Sequence, residues 1–345
     1  MAKFEEISLE KEIYDAARKE GETLTQHLEK LDPSEEYKGS KLAKLDAFER
    51  QLRRQKLKVT GNACLVADFF KTSGSAVLFP EFVNRNVRLG MGRGKFEATP
   101  DELAATTTQI DSGVYKGVEF DLSNSDIDHV RTAEGAIFSK VIAKTKEKAI
   151  NLHKIGRTIE SSYEALRRVK ANVLAVALQA IGTKLSRKIV SEMVGVIING
   201  DGNTNPAADV GIASPNTLTY ADMLELELEF DEGFEPSLML ADKATMKKVM
   251  SLTEFKDALI ASEWLTNGKP QNIFGNALRI NAYVGADIIL AIDPRSAIEM
   301  LEEKGGSLVE TEKLIDKQFE RVVISKVVGF NKLFTGASRY LDISP

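Results

Sequence analysis

From Ser161 to Asn199 apolar residues recur at three- and four-residue steps, and the run stops at Gly200-Asp201-Gly202. Tyr163, Leu166, Val169, Val173, Ala177, Ala180, Leu185, Ile189, Met193 and Ile197 then share one face of a helix. Ser161 with Glu164 predicts a capping box at its start, and Gly200 or Gly202 supplies the left-handed residue that ends it. Such a rod is about 57 Å long. Few compact enzyme domains need an element longer than their own diameter, whereas a subunit that must span a flat tile does. Gly182 sits mid-helix, where glycine weakens a helix by about 1 kcal/mol, and is expected to act as a pivot.

The chain has 345 residues, 43% of them hydrophobic, so two domains or one domain with extensions are expected. A net charge of −5 argues against a dedicated nucleic-acid binder. The single cysteine, Cys64, excludes intrachain disulfides and thiolate zinc clusters, reads as a small buried hydrophobe and suits a reducing cytosol. No apolar run reaches the ~20 residues that span a bilayer, and the N-terminus lacks a signal-peptide core, so a soluble, non-secreted protein is expected.

Residues 1–60 hold 13 basic and 13 acidic residues, a much higher charged share than the globular average of about 25%. Leu24, Leu28 and Leu31, then Leu42, Leu45, Phe48 and Leu52, predict two helices with narrow apolar stripes, the second capped by Ser40. Their basic end (Arg50, Arg53, Arg54, Lys56, Lys58) is a weak candidate for phosphate contact. Residues 61–79 read as an irregular tether, and Pro80-Glu81 opens a short helix carrying Phe82, Val83, Val87 and Leu89. Residues 112–148 predict a long two-stranded excursion, which cannot be stable alone in water and is expected to lie on a neighbour. Around Leu224–Phe230 a strand-like alternation competes with a Thr219/Asp222 cap, and the cap favours a helix. Strands at "PSLMLAD" and "ADIILAID", a helix at "KATMKKVMSL" and strands from Phe319 onward complete an α+β chain without internal repeats.

No constellation carries chemistry. Gly90 to Lys95 departs from a P-loop, with Leu89 and Phe96 at two obligatory positions, and reads as a flexible turn. Asp201, Asn203 and Asn205 match the first ligand positions of an EF-hand loop, but Pro206 and Ile212 stand where glycine and glutamate are required. His27, His129 and His153 lack ligand partners at helical spacing. Glu225, Glu227 and Glu229 read as solvated. No catalytic, cofactor-binding or metal-binding residue is therefore assigned, and no cofactor.

Several stretches, in order, resemble the major capsid proteins of tailed bacteriophages, whose Hong Kong type capsid fold encapsulins share. Pro80-Glu81-Phe82 is similar to the entry to the peripheral domain, and Glu134-Gly135-Ala136 to an element of the extended loop. "HKIGRTIESSYEAL" resembles the strand that runs into the spine helix, and "IINGDGNTNPAADVGI" the passage into the axial domain. "IFGNALRINAYV", "ADIILAID" and "VISKVVGFNKLFTGASRYLDI" resemble the late axial and terminal peripheral strands. The resemblance covers roughly residues 60–345. It implies 1–60 as a charged helical, scaffolding-like segment, 61–79 as an N-arm, 80–111 and 149–205 as peripheral domain with the spine helix, 112–148 as extended loop, 206–310 as axial domain and 311–345 as terminal peripheral strands. It further implies hexamers and pentamers of the chain in an icosahedral virion shell around double-stranded DNA without sequence-specific contacts, assembled in the host cytoplasm. Scaffolding, portal and decoration proteins are the implied partners, and no membrane is involved. Some members crosslink through a loop lysine and an asparagine; Lys116 and Lys140 lie in that region, and nothing in the sequence selects either. The alternative is an encapsulin-like nanocompartment shell around cargo enzymes, which usually lacks a charged helical segment such as 1–60.

Overall fold

The long apolar run folds as two helices and not one, Tyr163–Arg168 and Ala171–Asn199. In the computed structural model, residues 3–10, 12–61, 64–92, 97–120, 134–135, 143–231, 233–256, 272–305 and 308–344 are described. The break has a backbone cause. Val169 is extended (φ −76°, ψ 132°). Its carbonyl accepts from Val66 N at 3.1 Å, and Ala171 N donates to Cys64 O at 2.8 Å. Residues 64–66 thus take the groups that a continuous helix would use. The cap is Ser162, whose hydroxyl accepts from Ala165 N at 3.2 Å; Ser161 belongs to the preceding strand, His153–Ser162. The second helix has 29 residues, about 43 Å.

Its buried side also differs from the expected stripe. Ile189, Met193 and Ile197 are buried as expected, but towards the N-terminus the buried positions are Ala171, Leu178 and Gly182, while Val173 and Val176 are 60% and 64% exposed. Val173, Val176, Ala177 and Ala180 form one apolar stripe and Leu174, Leu178, Ile181 and Leu185 another, so hydrophobic spacing there is degenerate.

Two units make up the chain. The first comprises residues 1–93, 154–186 and 303–327. Helices Glu12–Lys19, Leu24–Leu31 and Ala47–Arg54 contribute Ile13, Leu24, Leu28, Phe48 and Leu52 to one core with Phe69, Phe79 and Phe82. The stripes of residues 1–60 therefore find their partner within the chain. Capping boxes at Thr23/Gln26 and Asp46/Glu49 start the second and third of these helices, so Asp46 and not Ser40 is the cap. Arg50, expected at a solvent-facing basic end, is buried: its Nε donates to Asp32 Oδ2 at 2.5 Å, and both side chains are fully buried. The expected tether is ordered as turns of helix at Val66–Phe70 and Ser73–Val77.

Helix Phe79–Met91, with Pro80 in its first turn, meets the long helix glycine to glycine. A Cβ at Gly182 would lie 2.0 Å from Val87 O, and one at Gly90 2.0 Å from Gln179 O. Thr183 Oγ1 donates to Gly90 O across the contact at 2.9 Å. Gly182 is thus a packing necessity inside a continuous helix, which replaces the expected pivot. Gly90 is helical, not part of a flexible turn, and Gly92 ends that helix; residues 93–96 lie outside the described residues.

The second unit comprises residues 94–153, 187–302 and 328–345. Its six-stranded sheet runs in the order Ala208–Asp209, Ser338–Asp342, Ile288–Ile292, Leu238–Ala241, Asn276–Ile280, Asn272–Ile273. Residues 338–342, expected among peripheral strands, lie inside this sheet because Ile289–Leu341 pairing continues its apolar face. Helix Tyr220–Leu228, with its Thr219/Asp222 box, and helix Lys243–Met250 cover that face through Met223, Leu226, Met246 and Val249. A separate antiparallel ribbon pairs Val114–Tyr115 with Ile150–Asn151 and Val118–Phe120 with Ala143–Thr145. This is the base of the expected excursion, whose residues 121–133 and 136–142 lie outside the described residues. Among the described residues no helix is long and apolar enough to cross a membrane.

Replacing Gly182 by alanine is expected to destabilise the protein by about 3 kcal/mol through overpacking. Gly195→Ala, in the same helix with nothing within 4 Å of the new methyl, is expected to be neutral or to stabilise by about 0.5–1 kcal/mol. Urea unfolding of both variants tests the contrast, and equal midpoints would refute it.

Candidate functional site

A buried polar cluster lies where the long helix ends. Gly200 (φ +84°) turns the chain, and its N–H still reaches Val196 O at 2.8 Å. A side chain there would meet Asn205 Oδ1 at 2.8 Å, so glycine is required on both counts. Asn205 Oδ1 accepts from Asp201 N at 3.0 Å, and Asp201 Oδ1 accepts from Asn203 N and Nδ2 at 3.1 and 3.0 Å. Asn203 also clasps residue 148, accepting from Lys148 N at 2.8 Å. The three residues with EF-hand spacing are thus spent on protein donors and form a stapled helix stop, as expected.

Asp201 Oδ2 faces the buried ammonium of Lys146 at 2.5 Å. Lys146 Nζ also donates to Asn331 Oδ1 at 2.9 Å and to the carbonyl of Lys332, so each of its three protons has an acceptor. Asn331 Nδ2 donates to Glu299 Oε2 at 2.8 Å, and Thr108 Oγ1 to Glu299 Oε1 at 2.6 Å. Lys332, fully buried, donates from Nζ to Ile197 O at 2.8 Å and satisfies a carbonyl in the last turn of the helix. Lys146 N donates to Gly117 O, and a Cβ at Gly117 would lie 2.7 Å from Asn331 Oδ1. The knot therefore ties the ribbon base to the helix end and to strands Ala104–Ile110, Ile298–Glu303 and Phe319–Lys332.

Its electrostatics follow from burial. Burial alone would raise Asp201, but hydrogen bonds from Lys146 and Asn203 and the Lys146 charge outweigh it and hold the carboxyl below its usual range. Burial pushes Lys332 down to about 7; attraction to Asp201 opposes the shift, and repulsion from Arg339 and Lys146 adds to it. Lys146 and Asp201 are fully engaged by protein partners, so what they fix is geometry.

The other candidates from the sequence do not converge on it. His153 contacts Glu192 and stacks edge-on near Phe330, with ring centroids 6.3 Å apart. His27 lies near Glu20, and His129 is outside the described residues. Lys116 is exposed on the ribbon, and Lys140 is outside the described residues. Glu227, read as solvated, is partly buried: it accepts from Asn276 Nδ2 at 2.6 Å, and burial raises its pKa. The Lys146–Asp201–Asn331–Lys332 set has no local signal, because Asp201 lies 55 residues from Lys146 and the adjacent Asn331 and Lys332 lie 185 and 186 residues from it.

Lys332 carries a linkage prediction. Its pKa is depressed from 10.5 to about 7, so above pH 7 the unfolded chain binds the extra proton. Stability should therefore rise from pH 7 towards 10, by at most about 1.4 kcal/mol per pH unit. Lys332→Met removes the titrating group, and urea unfolding at pH 7, 8 and 9 should show a flatter profile than the wild type. Parallel profiles would refute the assignment.

A model of the phage capsid protein family matches residues 145–330, more than half of the chain. Among solved structures, a capsid chain of a native GTA particle superposes with a TM-score of 0.55 at 16% identity, over 73% of this chain and 91% of the other. The capsid chain of the empty GTA particle gives 0.51 at 13%, over 73% and 91%. A chain of Microbacterium phage Oxtober96 gives 0.51 at 16%, over 72% and 92%. No curated protein matches the sequence. At these identities the structures establish the α+β capsid fold alone, and the family match over residues 145–330 supplies the rest: the chain belongs to the phage capsid protein family.

Proposed function

We propose that this chain is the major capsid protein of a tailed phage, assembling through hexamers and pentamers into an icosahedral shell around double-stranded DNA. The observation that carries the reading is the ribbon. Its base is pinned by the buried knot, yet Val114 and Val118 on it are 51% and 43% exposed. A two-stranded ribbon gains little stability from its own pairing and needs a surface to cover its apolar side chains. A neighbouring copy supplies that surface. Val173 and Val176 on the long helix are a second exposed apolar stripe suited to a subunit contact. With a net charge of −5, the subunit encloses DNA by confinement and does not bind it through a basic face.

In this reading residues 112–148 are the extended loop, residues 206–310 carry the axial role, and the protein is a virion component assembled in the host cytoplasm. Scaffolding, portal and decoration proteins are the partners beyond the chain itself. The role is structural and not catalytic.

Expression of the chain, followed by negative-stain microscopy and native mass spectrometry, is expected to show closed shells or rings of five and six subunits. Val114→Glu combined with Val118→Glu should abolish them while leaving far-UV circular dichroism unchanged. Wild-type particle yield from the double variant would refute the role of the ribbon. Particles filled with enzyme cargo during production in a host would favour the nanocompartment alternative.

A further inference from the structure

Strand Phe319–Lys332 places Glu320, Val322 and Ile324 on one face, and Val322 and Ile324 enter the core of the first unit. A carboxylate at the third place of that apolar row breaks the alternation. Glu320 is only 5% exposed, and its carboxylate has no hydrogen bond or ion pair among the described residues. Lys313 is its cross-strand partner, but the Lys313 ammonium lies over the Phe70 ring, 5.2 Å from the centroid. Burial raises the Glu320 pKa, and the Lys313 charge only partly offsets this.

Glu320 opens into a groove of about 960 Å³ within the first unit. Five consecutive residues, Val309 to Lys313, line one wall. Both faces of a strand can border one cavity only if the cavity runs along its edge. Strand Leu308–Leu314 is the outermost of its sheet and pairs, among the described residues, with Phe319–Lys332 alone. The floor is apolar, with Leu9, Val77 and Pro80. Glu10, Glu12, Glu310, Glu312 and Glu320 border the groove against only Arg18 and Lys313. An open strand edge, an apolar floor and an acidic border define one kind of guest.

We propose that this groove binds an extended, lysine-bearing segment of a partner protein. The segment adds as a strand to the edge Val309–Lys313, lays alternate apolar side chains on the Leu9–Val77 floor and places one ammonium against Glu320. A basic partner fits better than a second copy, because each copy carries the same net charge of −5.

The test uses the full chain and a fluorescent peptide that alternates lysine and valine, with a glutamate–valine peptide as control. The lysine peptide is expected to bind, to weaken as salt rises, and to slow amide exchange over residues 308–314. Glu320→Gln should weaken binding about tenfold, the loss of one charge-assisted contact, without lowering thermal stability. Glu10→Lys with Glu12→Lys, at exposed sites on the opposite wall, should weaken it through charge alone. Equal affinity for both peptides, unchanged binding by Glu320→Gln, or exchange protection of 308–314 produced by self-association without peptide would each overturn the proposal.

Discussion

The ammonium of Lys146 holds together segments that sequence distance keeps far apart. Burying a lysine and an aspartate together does not by itself stabilise a protein, since desolvation of both charges can exceed their attraction. What the pair secures is geometry. Lys146 has three acceptors in fixed directions, and they come from the helix stop, from a strand side chain and from a strand carbonyl. If one acceptor is displaced, an unsatisfied charge is left in a dry interior, which is far costlier than a lost apolar contact. The arrangement therefore tolerates very few alternatives, and the ribbon base that begins next to Lys146 leaves the body in a defined direction. Asn331 passes the constraint on to Glu299 and Thr108, so the strands alongside are held by the same chain of hydrogen bonds.

Lys332 shows the limit of that arrangement. It completes the last turn of the long helix, a place that favours positive charge, yet it shares its burial with Lys146 and Arg339. Burial is the main cause of the depressed lysine; attraction to the one buried aspartate does not offset it, and repulsion from these cations adds to it. The carbonyl of Ile197 remains satisfied whether Lys332 is charged or neutral, because the amine donates in either form.

Local rules read well from the sequence where one residue type has one job. The Thr219/Asp222 box settled helix against strand at Leu224–Leu228, and the Gly200-Asp201-Gly202 stretch marked where the long helix stops. They read poorly where the chemistry is degenerate or distant. Val173 and Leu174 are equally plausible inward residues, and only the helix they pack against decides between them. Ser161 and Ser162 are both good caps, and the strand before them chose the second. Gly182 looked like a weak point because its partner, Gly90, lies 92 positions away and glycine's lack of a side chain has two uses: loosening a helix, or letting two helices touch. Arg50 looked solvent-facing for the same reason, its partner Asp32 lying beyond a turn. The polar knot was invisible for want of any local pattern, although each of its residues was in plain view.

The division between buried charge and exposed valine also bears on how the proposed shell would assemble. Polar groups that require a single geometry are enclosed and satisfied within one chain, where loss of a partner would be most damaging. Apolar groups that can pair with any smooth surface are left outside, at Val114, Val118, Val173 and Val176. Hydrophobic contacts are non-directional and scale with area, so small exposed patches associate weakly as pairs and strongly when repeated around a closed ring. Weak pairwise contacts permit misplaced subunits to leave, while closure supplies the final stability. A subunit with the reverse arrangement, its charges at the contacts and its valines in the knot, would bind its neighbours in a salt-dependent way and would have no rigid root for its ribbon.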